Sequence, residues 1–175
     1  IQDNVDTENR ESSAMEMMPI MNVFNEWHAA NTSKKIRAVL REKAKEGVYH
    51  AKKAAYGYIK GKDEKGTLLI DEETAPIVKR IFEMYALGIT PNQIAQTLNA
   101  ENVSSPEKYA NQKLGHKMHE GSRGLWAQMA VVRILQNMVY LGHLPQLRTT
   151  SVSYKNHKKY RKDQSEWVIV YNTHE

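Results

Sequence analysis

The sequence predicts a mainly helical α+β fold: one long N-terminal helix, then a helical domain carrying small β-hairpins. Three observations predict it. Apolar residues recur at helical spacing over much of the chain. Two helices, each opened by a proline and closed by a turn residue, follow one another between residues 74 and 102. Two stretches, 56–70 and 140–172, alternate as paired strands around turn residues.

Size and composition bound the class. The 175 residues, 41% of them hydrophobic, suit one medium domain or a small domain with an appendage. No run approaches the length of a membrane span and no signal peptide opens the chain, so it reads as cytoplasmic, with no membrane partner. Without cysteine there is no disulfide and no thiolate zinc site, and His116 and His119 form the only close histidine pair. No metal or other cofactor is expected. The charge is divided. Residues 1–30 hold one basic residue, Arg10, against six acidic ones, net −5, while the remaining 24 basic and 14 acidic residues give +10. A basic remainder of that size suits a nucleic-acid partner, although many such surfaces are only solvated faces.

The first helix is expected from about Glu16 to Glu46, ended by Gly47, with Pro19 marking a start or a kink. Its first half sets Met17, Met21, Phe24 and His28 on one stripe and Ile20, Val23 and Trp27 on another, too much apolar surface for a free helix. Self-association through this segment is the expectation. Its second half keeps a narrower stripe of Ile36, Val39 and Leu40, surrounded by Lys34, Lys35, Arg37, Arg41, Lys43 and Lys45. The helix thus changes partner midway, from protein to something anionic.

A basic linker follows, with Lys52 and Lys53 in a stretch that lacks periodicity; such an arm can track a DNA groove. Tyr56 and Tyr58 alternate around Gly57, which suits strand packing with one close backbone approach better than base stacking. The next helix has Val78, Ile81, Phe82 and Tyr85 inward, with Asp71 or Thr74 as its cap; Pro76 favours the later start. "ITPNQIAQTLN" then offers a capping box, Thr90 with Gln93, and an inward face of Ile94, Ala95 and Leu98. A partner helix should come within a few residues, yet the next signal, Trp126 to Met138, lies about twenty residues on. That helix buries Val131, Ile134, Leu135 and Met138 and leaves Gln128, Met129, Arg133, Gln136 and Asn137 free. Gln, Asn and Arg make bidentate contacts to base edges, so Gln128 and Arg133 are candidate readers, with Arg123 at the helix N-terminus for a phosphate or base edge. The last stretch reads as a long hairpin whose basic residues, Arg148, Lys155, Lys158, Lys159, Arg161 and Lys162, resemble those of a wing lying along phosphates. The whole is winged-helix-like, with double-stranded DNA as the expected partner.

The order of these pieces resembles the large serine recombinases, which include phage integrases and the resolvases of conjugative transposons. The resemblance is carried by "VDT" at 5–7, "NVFNEWHAANTSKKIRAVLREKAKEG", "YGY" at 56–58, "IDEETAPIVKRIFEMYALGITPNQIAQTLN" and "W…VVRILQNMVYLG". It implies that residues 1–46 are the end of a catalytic domain and its connecting helix, and that 47–175 are a DNA-binding recombinase domain, with an insertion between its two reading helices. It also implies a phosphoserine mechanism of strand exchange, but the family's catalytic serine and arginines would precede Ile1. No catalytic residue is therefore assigned, and the chain is expected to be an inactive, DNA-binding fragment. Ala55 and Met138 depart from the family pattern, which commonly has proline at both places. Two other classes compete. A winged-helix transcriptional regulator would use the long helix to dimerise. A metal-dependent nuclease would use His116, His119 and Glu120, which lack a helix to fix them.

Overall fold

The computed structural model describes residues 7–51 and 53–174, with side chains of the first helix described from Met17 onward. Lys52, a candidate DNA contact, and most of "VDT" lie outside the described residues. Five helices and six short strands appear among the described residues: α1 Thr7–Lys45, β1 Tyr58–Lys60, β2 Leu68–Ile70, α2 Ala75–Ala86, α3 Pro91–Ala100, α4 Pro106–Leu114, α5 Gln128–Leu135, β3 Leu144–Gln146, β4 Thr149–Ser151, β5 Lys159–Arg161 and β6 Val168–Val170. The fold is α+β, as expected. Contacts divide the chain into two units, one of residues 1–43 and 147–167, the other of 44–146 and 168–175.

In the first unit, α1 runs through Pro19 without ending there. Pro19 is therefore not a helix start; the missing N–H leaves one carbonyl a turn earlier without its helical donor, a defect a long helix absorbs. The apolar side chains of its first half are exposed: Met17, Met21, Phe24 and Trp27 keep more than half of their surface. The other part of this unit is the hairpin β4–β5, with Thr149 opposite Arg161 and Ser151 opposite Lys159.

The second unit holds the core. Ile81 of α2, Ile94 and Leu98 of α3 and Val131 of α5 are almost wholly buried, joined by Tyr56, Val78, Ala95, Trp126 and Ile134. Each fully buried aliphatic side chain contributes about 1.5–3 kcal/mol. β1 and β2 pair antiparallel, Tyr58 opposite Ile70, while β3 pairs with β6, Leu144 opposite Val170. A second cluster of Leu68, Val139 and Leu144 joins these ladders. Tyr56 and Gly57 form a turn that leads into β1 rather than part of the strand; Gly57 has φ +95°, and a Cβ there would stand 2.9 Å from Val78 Cγ2, so the expected close approach is of this turn's backbone to α2.

Several expectations are corrected. In α2, Phe82 and Tyr85 are exposed, while Ile77 and Met84 join Val78 and Ile81 at the core. The buried stripe is rotated toward the 77–81–84 side, and Phe82 only rests edge-on against Tyr140, 5.8 Å between ring centroids. Helix α5 is shorter than the expected span from Trp126 to Met138. Ala127 is extended and Asn137 leaves helical geometry to cap a 3-10 turn, Met138–Leu141, so Val139 rather than Met138 is buried. The final stretch is not one continuous hairpin. Between the two ladders the return strand carries six residues against two on the outgoing one, and a 3-10 turn at Gln164–Glu166 takes up the excess.

Candidate nucleic-acid interface

The capping box of α3 forms as the sequence predicts: Thr90 accepts from the Gln93 N–H, and the Gln93 carboxamide accepts from the Thr90 N–H at 3.1 Å. This fixes the start of α3, and α3 in turn fixes α5. Asn99, at the end of α3, accepts from the Trp126 N–H through Oδ1 at 2.8 Å and donates from Nδ2 to the Trp126 carbonyl at 2.9 Å. The Trp126 indole is 4% exposed, donates from Nε1 to the Val103 carbonyl at 3.1 Å and meets Tyr56 edge-on. Trp126, the residue before the N-cap Ala127 of α5, is thus held on both sides of its backbone and through its ring. Helix α5 then buries Val131 and Ile134 and turns Gln128, Met129, Arg133 and Gln136 outward.

The gap between α3 and α5 contains α4, a helix the sequence reading missed. Ser105 caps it, accepting from the Lys108 N–H and donating to the Gly124 carbonyl at 2.8 Å; Pro106 opens it and Gly115, at φ 64°, ends it. These are ordinary boundary signals. Between them α4 buries no residue fully, and its sequence carries no apolar stripe to mark a helix. Its anchor is polar. The Tyr109 hydroxyl donates to Asp71 Oδ2 at 2.6 Å, an atom that also accepts from the Thr74 hydroxyl at 2.7 Å, while Thr74 accepts from the Gly57 N–H at 3.1 Å. Burial raises the Asp71 pKa, but these hydrogen bonds outweigh it and hold the carboxyl below its ordinary value. The bond to Asp71 pushes Tyr109 up to about 12. Glu107 organises the loop after α4, accepting from the His119 N–H at 2.7 Å and the Ser122 hydroxyl at 2.5 Å. Between this loop, the linker and α5 lies a cleft of about 450 Å³ lined by, among others, Lys53, Tyr109, Lys117, His119, Met129 and Arg133.

The first unit presents a separate basic face. Its hairpin lies against α1: Lys155 Nζ pairs with Glu26 at 2.5 Å, and Arg37 donates to the Ser151 hydroxyl at 3.4 Å. A groove of about 630 Å³ between them is lined by Arg37, Arg41 and Lys162, by the hydroxyls of Thr149, Thr150, Ser151 and Tyr160, and by the carboxylates of Glu42 and Glu166. At the foot of the hairpin, the Trp167 indole donates from Nε1 to the Lys162 carbonyl at 3.0 Å, with the guanidinium carbons of Arg148 and Arg161 at 5.9 and 5.3 Å from its ring centroid.

The candidate residues accordingly fall into two sets. Lys34, Lys35, Arg37, Arg41, Arg148, Lys155, Lys158, Lys159 and Arg161 lie in the first unit, all exposed, with the charge of Lys155 already engaged by Glu26. Lys45, Lys53, Arg123, Gln128 and Arg133 lie in the second and are also exposed. Asn99 and Trp167 were missed. Asn99 was hidden because a C-terminal helix asparagine is an ordinary surface residue in sequence, and Trp167 because its arginine neighbours are 6 and 19 positions away. His119 Nδ1 stands 3.5 Å from Glu107, and no group of three histidine or acidic side chains among the described residues is placed to hold a metal. No helix of the described residues is long and apolar enough to cross a membrane.

Comparison with protein families matches residues 72–175, more than half of the chain, to the family described as Recombinase. No curated protein and no solved structure matches.

Proposed function

The chain belongs to the recombinase family, and from that premise we propose that it is the DNA-binding part of a site-specific serine recombinase of the large class, recognising the site at which DNA is integrated, excised or resolved. The observation that carries this reading is the mounting of α5. Asn99 and Trp126 hold its start, Val131 and Ile134 bury one face, and Gln128 and Arg133 are exposed on the other. A helix held this firmly with base-reading side chains outward suits the major groove, with Arg123 near its N-terminus for a phosphate or base edge. Lys53, and Lys52 with it, would follow the backbone, as would Lys45.

In the first unit, Lys34, Lys35, Arg37, Arg41, Arg148, Lys158, Lys159 and Arg161 supply the charge for phosphate contacts, which position without reading sequence. The exposed apolar half of α1 serves self-association, because Met17, Met21, Phe24 and Trp27 are all exposed within three turns of one helix. No residue here is assigned to strand cleavage. Selection of binders from a randomised duplex library tests the proposal. Enrichment of one recurring sequence is the expected result; strong retention of DNA with no sequence enriched would reduce the chain to a non-specific binder.

A further inference from the structure

Two arginines share one tryptophan at the foot of the β4–β5 hairpin. Arg148 and Arg161 both place their guanidinium carbons within 6 Å of the Trp167 ring centroid, the range in which a ring face attracts a cation. The ring itself is fixed. Its Nε1–H is bonded to the Lys162 carbonyl, and the Lys162 N–H donates to the Arg148 carbonyl at 2.9 Å, so the backbone of both strands is tied at this point. The ring attracts each cation, but it carries no net charge and neither arginine supplies the other with a counter-charge. An acidic side chain would complete such a cluster if the contact were structural. Among the described residues neither guanidinium has an ion pair, and Glu166, beside Trp167 in sequence, makes none with either.

We propose that Trp167, Arg148 and Arg161 form a preorganised binding site for the phosphodiester backbone of duplex DNA, with the indole as a positioning platform and the two guanidiniums as the groups that touch phosphate. Guanidinium suits this ligand because its planar fork matches two phosphate oxygens, and stacking on a ring leaves the outer N–H groups free to donate. Holding both forks before binding lowers the side-chain entropy lost on association. The ligand supplies the negative charge that the cluster lacks. This deepens the proposed function and rests on it, because it names the part of the hairpin that grips DNA.

The test is duplex binding by fluorescence anisotropy over a series of salt concentrations, with circular dichroism as the check on folding. Arg148→Ala with Arg161→Ala is expected to reduce the log–log salt slope by about 1.8, two phosphates at about 0.9 each. Trp167→Leu, which removes no charge, is expected to weaken binding about 2- to 5-fold, and Trp167→Phe, which keeps a ring face, to recover most of that loss. Arg148→Lys with Arg161→Lys keeps charge and hairpin packing but not the planar fork; it too should bind more weakly than the parent chain. A folded Trp167→Leu chain with parental affinity, or a double-lysine chain as tight as the parent, overturns the platform while leaving DNA binding intact. Absence of duplex binding by the parent chain overturns this inference and the proposed function together.

Discussion

Replacing Asn99 by alanine removes two hydrogen bonds with one side chain and frees the start of α5 from the end of α3. The carboxamide accepts from the Trp126 N–H at 2.8 Å and donates to its carbonyl at 2.9 Å, both in partly buried surroundings. An ordinary hydrogen bond contributes about 0.5–1.5 kcal/mol net, and each buried partner left unsatisfied costs about 1–3 kcal/mol. Because the site is only partly buried, water reaches some of the orphaned groups, so the lower half of that range applies and the total is about 2–4 kcal/mol. Against a domain stability of about 5–15 kcal/mol this is a large fraction. With a urea slope of roughly 2 kcal/mol/M, the unfolding midpoint should fall by about 1–2 M. Thr97→Ala is the control: the Thr97 hydroxyl donates to the Gln93 carbonyl of its own helix, a carbonyl that water can reach, so its loss should move the midpoint little. The readout is urea unfolding followed by far-ultraviolet circular dichroism. An Asn99→Ala midpoint within the error of the Thr97→Ala control would show that the start of α5 does not depend on this clamp, and the argument for a rigidly mounted helix would fail.

Tyr109→Phe removes the donor to Asp71 and should cost about 1–3 kcal/mol at neutral pH. The Asp71 carboxyl is depressed in the folded state, so its contribution is present above the ordinary aspartate range near 4 and is lost as pH falls through the folded value; the Tyr109 contribution is present below pH 10 and lost as pH rises toward about 12. Stability measured across pH should therefore show a parent-minus-variant difference that narrows at both extremes, and a difference constant into acid would contradict the assignment. Gly57→Ala forces a Cβ to within 2.9 Å of Val78 at φ +95°, and should destabilise by at least about 1–2 kcal/mol in thermal or urea unfolding; a neutral result would mean that β1 and α2 are not so closely apposed. Phe24→Ser with Trp27→Ser should abolish concentration-dependent dimerisation in sedimentation, whereas a parent chain that stays monomeric at high concentration removes self-association from the account.

What could be read in the sequence was what local chemistry dictates. Thr90, Pro91 and Gln93 announced α3, and Ile94, Ala95 and Leu98 fell on its buried face as spaced. Gly57, set between two tyrosines, marked a close approach, and the structure places it in the turn before β1 with φ +95°. Helix α4 has no apolar periodicity, because it is anchored by the single ring and hydroxyl of Tyr109 and by the polar contacts of Glu107 and Lys113. The rotation of the α2 stripe away from Phe82 depends on where α3 and α5 lie, which the α2 sequence alone does not encode. The lodging of the hairpin against α1 joins residues more than a hundred positions apart, Arg37 with Ser151 and Glu26 with Lys155, through contacts that any exposed basic and polar residues could make. Of the candidate interface, residue types were legible; what tertiary structure added was the holding of those residues by Asn99 and Trp167.

The central claim, that α5 reads DNA sequence, is tested most directly by measuring binding of the parent chain and of Gln128→Ala to a selected duplex and to a scrambled duplex of equal length and charge. If α5 reads sequence, Gln128→Ala loses about 1–3 kcal/mol on the selected duplex and almost nothing on the scrambled one, with preference relaxed at a single base position. Equal losses on both duplexes, or none on either, would contradict it and leave the outward face of α5 as solvated surface.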